Sequence, residues 1–121
     1  MLNESEMSPQ AFRTIALDLP GVIEGSHQGH ADFRAGNRIF ATLGYPDDAW
    51  AMVKLTLEQQ SMLVEAEPAM FRPVPGGWGK RGSTNVRLAG ADPATLRSAL
   101  TLAWRNVAPE PTAGSRTRTT R

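Results

Sequence analysis

Two strand-like runs separated by Gly36-Asn37 limit what this chain can fold into more than any other feature. Asp32-Phe33-Arg34-Ala35 precede the pair and Arg38-Ile39-Phe40-Ala41 follow it. Glycine and asparagine both tolerate positive φ, which the two-residue hairpin turns that suit strand twist require. That turn sets Arg34 opposite Ile39 and Phe33 opposite Phe40, giving a cross-strand aromatic pair on one face. An antiparallel sheet is therefore the expected nucleus of the fold.

The rest of the chain supplies elements to build around it. Ser8-Pro9 starts a helix, because serine accepts from free first-turn amides and proline suits the first helical position. Phe12, Ile15, Ala16 and Leu19 follow at helical spacing, and Pro20-Gly21 ends the helix, which is placed at 9–19. A short strand covers Val22 to His27. After the hairpin, Gly44 to Asp48 is a loop, and Trp50 to Leu55 another strand. Thr56 and Gln59 have the spacing of a capping box, opening a helix over 57–67. Residues 68–82 hold three prolines and four glycines and read as one long loop. Ser83 to Leu88 alternates, with Thr84, Val86 and Leu88 on one side and Ser83, Asn85 and Arg87 on the other, as a half-buried strand would. Asp92-Pro93 caps a last helix whose apolar stripe is Leu96, Leu100, Ala103, Trp104 and Val107. The expected fold is α+β, an antiparallel sheet of about five strands with helices packed on one face and the last helix beside the first.

A chain of 121 residues is one domain in size, able to bury a real core without metals or staples. The expected organisation is a flexible N-terminus over 1–8, a domain over 9–109 and a disordered basic tail over 110–121, which lacks a hydrophobic anchor. Cysteine is absent, so disulfides and thiolate metal sites are excluded. No apolar run approaches the roughly 18 residues of a membrane span. Met1 to Gln10 carries Glu4 and Glu6 with no Lys or Arg, unlike a signal peptide. These features predict a cytoplasmic protein, most simply a bacterial one. The formal charge of +1 does not itself predict a nucleic-acid partner. Its distribution is segregated: residues 43–68 sum to −4, whereas 69–91 hold Arg72, Lys80, Arg81 and Arg87 with no acid. Segregation of this kind makes a local basic surface on a nearly neutral molecule.

Several segments then resemble one family. They are Leu19-Pro20-Gly21-Val22, the run Ser26-His27-Gln28-Gly29-His30-Ala31-Asp32-Phe33-Arg34, and Arg38, where the family often has lysine. Ile39-Phe40-Ala41-Thr42-Leu43, Met52-Val53-Lys54-Leu55 and Pro75-Gly76-Gly77-Trp78-Gly79 continue the set. Thr84-Asn85-Val86-Arg87-Leu88, Ala103-Trp104 and Val107-Ala108-Pro109 complete it. In order and spacing the chain resembles the MmcQ/YjbR family over about residues 8 to 109. The resemblance implies a fold similar to type III secretion chaperones, with a helix, an antiparallel sheet and a closing helix. The family's DNA-binding label implies a nucleic-acid partner, and the resemblance brings no catalytic residues.

Each motif has a bland reading beside the chemical one. Gly77-Trp78-Gly79-Lys80-Arg81-Gly82 matches G-x-G-x-x-G, but a dinucleotide loop needs a strand before and a helix after, and here a proline-rich loop precedes and a strand follows. A phosphate loop needs Ser or Thr after the lysine, where this chain has Arg81. The same loop suits nucleic acid better: Trp78 offers a stacking face with Lys80 and Arg81 beside it, and Arg87 emerges on the next strand. The bland alternative is a packed tryptophan and solvated cations. Lys54 either borders this basic region or pairs with a nearby glutamate. His27 and His30, with Asp32 as a third group, fall short of a zinc set and are read as shaping the turn or hydrogen-bonding neighbouring backbone, with a His–carboxylate acid–base pair as the chemical alternative. No nucleophile motif, metal set or cofactor loop is present in its required context, so no enzyme is expected. The leading expectation is DNA binding through phosphate contacts from Arg72, Lys80, Arg81 and Arg87, with Trp78 stacking and no cofactor. The second is a protein-interaction or chaperone-like module, or a homodimer, that uses a sheet face bearing Trp50 and Met52.

Overall fold

The computed structural model describes residues 7–44 and 47–108. In chain order it runs α1 (Pro9–Leu17), β1 (Ile23–His27), β2 (His30–Ala35), β3 (Arg38–Leu43), β4 (Trp50–Lys54), α2 (Leu57–Ala66), β5 (Phe71–Pro73), α3 (Gly77–Lys80), β6 (Ser83–Arg87) and α4 (Pro93–Val107). The strands form one sheet in the order β1-β2-β3-β4-β6-β5, every pair antiparallel. The α+β class and the antiparallel sheet agree with the sequence reading; the sheet has six strands, not five. The expected tail at 110–121 and most of the expected flexible start lie outside the described residues. Met7 packs into the core and Ser8 caps α1.

Local chemistry explains where the helices begin. Ser8 Oγ accepts from the Ala11 amide, and Asp92 Oδ2 accepts from the Thr95 amide at 2.8 Å. At α2 the box is reciprocal, with Thr56 Oγ1 accepting from the Gln59 amide and Gln59 Oε1 from the Thr56 amide. Helices α1 and α4 lie side by side on one face of the sheet, α4 crossing β3 and β4. Arg97 meets Asp18 at 3.3 Å, and Trp104 Nε1 donates to the Pro20 carbonyl, which ties α4 to the end of α1. Phe12, Phe33, Phe40, Leu96 and Leu100 fill the space between helices and sheet with no exposed surface.

Two hairpins set the register. Gly36 and Asn37 have φ of 59° and 68°, as their turn demands. A second two-residue turn, Gln28-Gly29 with φ of 51° and 80°, joins β1 to β2 and was not evident in the sequence. Arg34 lies opposite Ile39 as expected, but Phe33 lies opposite Ala41 and not Phe40. A bulge inserts Phe40 as an extra residue, so two neighbouring β3 residues turn inward against one on β2. Both phenylalanines remain in the core, and the ring that Phe33 meets is Phe12, 5.9 Å away.

The stretch read as a long loop is the main correction. It contains β5, which pairs with β6, and the four-residue helix α3. Pro73 is tolerated because β5 is the sheet edge. Between β4 and β5, β6 becomes an interior strand, and Ser83 and Asn85 are buried along with Thr84 and Val86. It is therefore not half-buried. Gln60 of α2 reaches under this region and donates to the carbonyls of Gly79 and Ser83, each at 3.0 Å.

Candidate functional site

The helices leave the other sheet face open, and register fixes which residues occupy it. One lateral row crosses all six strands: Gly25, Asp32, Thr42, Met52, Asn85 and Arg72 are successive cross-strand partners. By alternation from that row, His27, His30, Arg34, Trp50, Lys54, Ser83 and Arg87 share the face. Asp32 is the one acid that register places there among the described strand residues. Glu24 belongs to the helix side, where Arg13 of α1 pairs with it at 3.0 Å.

Asp32 is 0% exposed, yet it lies at the centre of a polar cluster. Its Oδ1 accepts from Arg34 Nε at 2.7 Å, its Oδ2 accepts from the other end of that guanidinium at 3.1 Å, and His27 Nδ1 is 2.7 Å from Oδ2. The Arg34 hydrogen bonds hold the Asp32 carboxyl below the ordinary carboxylate range, against the opposing effect of burial, and His27 adds to the lowering. A carboxylate kept anionic accepts a hydrogen bond from Nδ1–H, and in the neutral imidazole this leaves Nε2 of His27 as an acceptor. Gly25 makes room for this cluster: a Cβ there would stand 3.1 Å from Asp32 Oδ1 and 3.3 Å from Arg34 Nε.

Beside the cluster a groove of about 370 Å³ opens in the sheet face. Thr42, Ile39 and Met52 line its middle, His27 and His30 one end, and Lys54, Ser83 and Trp78 the other. Trp78 is 62% exposed, so the packed-tryptophan alternative does not describe it. The Arg81 guanidinium lies over its ring, 5.6 Å from the centroid. Gly79 allows α3 to sit there at all, because any Cβ would collide with the Val74 carbonyl.

A second tryptophan–arginine pair stands along the same face. Arg72, on edge strand β5, reaches across β6 to place its guanidinium 4.0 Å from the centre of the Trp50 ring on β4. Asn85 lies on β6 between them, is 1% exposed, and its Oδ1 has no hydrogen-bond partner among the described residues.

The five candidate residues thus fall into two groups. Arg72 and Arg87 flank Trp50, while Trp78, Lys80 and Arg81 belong to α3 and the residue after it. The fold brings Lys54 and Arg34 to the same face, and Arg38, opposite Ala35, points to the other. The Asp32 cluster, the Trp50–Arg72 pair and the Thr42–Met52 groove were not read from the sequence as a surface. Only the chain of registers across six strands reveals them.

An antiparallel sheet closed on one side by a first and a last helix defines a small α+β class with an open sheet face. Residues 17–106 match the YjbR family model, and the chain belongs to that family. Its fold is similar to the solved structure of the Deinococcus radiodurans protein DR2400, described as having the family-model domain DUF419. That similarity has a TM-score of 0.70 at 18% identity and covers 97% of this chain and 87% of the other. No curated protein matches the sequence. Among the described residues, no helix is long and apolar enough to cross a membrane.

Proposed function

We propose that this chain is a cytoplasmic nucleic-acid-binding protein, DNA being the expected partner, and that it acts by binding and not by catalysis. The supporting observation is the composition of the open sheet face. Arg34, Lys54, Arg72 and Arg87 share it, α3 adds Lys80 and Arg81 at its rim, and its one strand acid is buried against Arg34. Trp78, 62% exposed, adds a stacking surface among the cations, while Trp50 lies half-buried under the Arg72 guanidinium. Phosphate attraction combined with aromatic platforms is how sequence-tolerant nucleic-acid surfaces work.

The test is fluorescence anisotropy with labelled DNA across a salt series. Affinity should fall log-linearly as salt rises, because neutralised phosphates release counterions. Lys80→Glu with Arg81→Glu should weaken binding by about tenfold or more and flatten the salt slope by about two. Unchanged affinity in that variant would remove the physical basis of the reading.

A second reading is a protein-interaction module or homodimer. It is favoured by Ile23, 68% exposed on edge strand β1, on the same face as half-buried Trp50 and Met52. A dimer in static light scattering, lost in Ile23→Lys, would support it.

A further inference from the structure

The groove asks for more than a generic phosphate surface. Its volume, about 370 Å³, lies in the range of small-ligand sites. Its lining is also divided by chemistry. Met52, Ile39 and the exposed ring of Trp78 supply apolar and aromatic surface, Lys54 supplies positive charge at the same end, and the Arg81 guanidinium, outside the lining itself, lies over the Trp78 ring. At the far end His27 is 41% exposed, and its ring is fixed through Nδ1 by a carboxylate buried in the sheet. A planar, partly apolar group with an attached anion complements that arrangement, and a nucleotide is such a group. A duplex keeps base faces stacked inside and shows only edges and phosphates, so it cannot lay a base on Trp78. A single strand can splay one out onto a sheet face.

We propose that this groove seats one unpaired nucleotide of a single strand. Its base lies against Trp78 and Met52, its phosphate rests on Lys54 and Arg81, and a polar edge of the base meets His27 Nε2. His27 is a positioning contact whose orientation depends on Asp32. The inference rests on the nucleic-acid reading above and narrows it to a strand type and a place.

The experiment compares a short labelled single strand, a blunt duplex of the same sequence and free dAMP as competitor, using intact protein and the variants Trp78→Ala and His27→Ala. Both side chains are substantially exposed, and thermal melts confirm that the variants fold. The single strand should bind about tenfold tighter than the duplex. Trp78→Ala should lose about tenfold on the single strand, the worth of one base–aromatic stack, and little on the duplex. His27→Ala should lose about threefold to tenfold, as expected for one hydrogen bond, again only on the single strand. Equal loss on both DNAs, or none on either, overturns the groove assignment while leaving phosphate-driven binding intact. dAMP that binds as tightly as the strand reassigns the groove to a free nucleotide and also overturns it. No binding by any probe at low salt overturns both this inference and the reading beneath it.

Discussion

The two faces of the sheet are built from the same strands and obey different rules. The helix side is filled by Phe12, Phe33, Phe40, Leu96 and Leu100, all without exposed surface. The open side also contains buried residues, but they are Asp32, Thr42, Ser83 and Asn85. The first face is held by area removed from water and close packing, which involve no titrating group and no charge for salt to screen. The second is held by a carboxylate between a histidine and an arginine, and by two arginines lying on tryptophans. On the proposed function, recognition belongs to the open side and most of the packing to the other, so substitutions on either side should be told apart by different measurements.

The largest expected effect is on the helix side. Phe40→Ala should cost about 3–5 kcal/mol in urea unfolding, the usual loss for a fully buried phenylalanine, with any folded fraction binding nucleic acid normally. A selective loss of affinity at unchanged stability would break the separation.

Asp32→Ala comes next and tests whether the open face also contributes to folding. Removing the buried partner of Arg34 and His27, both of which remain partly hydrated, should cost about 1–3 kcal/mol. The native pKa of Asp32 lies below its unfolded value of about 3.8, so its contribution is present above that pH and fades as pH falls below it. Stability-against-pH curves of the parent and the variant should therefore run apart at neutral pH and converge below about pH 4. Parallel curves would show that the cluster makes no ionisation-linked contribution.

Arg72→Ala should have the smallest effect, about 0.5–1 kcal/mol, as for an exposed cation–π contact. Its clearer signature is optical. Trp50 should become more accessible to acrylamide quenching, and a quenching curve identical to the parent's would mean that the arginine does not cover the ring in solution.

The helices were legible because their ends carry local signals. Ser8, Thr56 and Asp92 each cap the helix whose start the sequence assigns to them, and a cap is recognised within four consecutive residues. The Gly36-Asn37 turn was legible for the same reason. The register one pair further on was not, because a bulge answers to packing of Phe40 against the core and not to the turn. β5 and α3 were hidden by their own composition: Pro73 is acceptable only because the strand is an edge, and Gly79 is demanded by the Val74 backbone, a contact with no sequence signature. The candidate cations were visible as residues but not as a surface. Arg72 in particular lies two strands from the ring it covers, a relation created only by the strand order β4-β6-β5.

The surplus residue in β3 has one more consequence. Ile39 and Thr42 both line the groove although they are three positions apart, an odd interval where an unbroken strand permits only even ones. The strand is thus written in two reading phases, one keyed to the Gly36-Asn37 turn and one keyed to β4. Deleting the surplus Phe40 would bring Ile39 and Thr42 to an even interval, so an unbroken strand would keep both of them on the groove side, at the cost of a core phenylalanine. The same edit in β4, which pairs on both sides without a bulge, has no surplus residue to absorb it and would exchange inside and outside for everything beyond the cut, much as a frameshift garbles the message downstream.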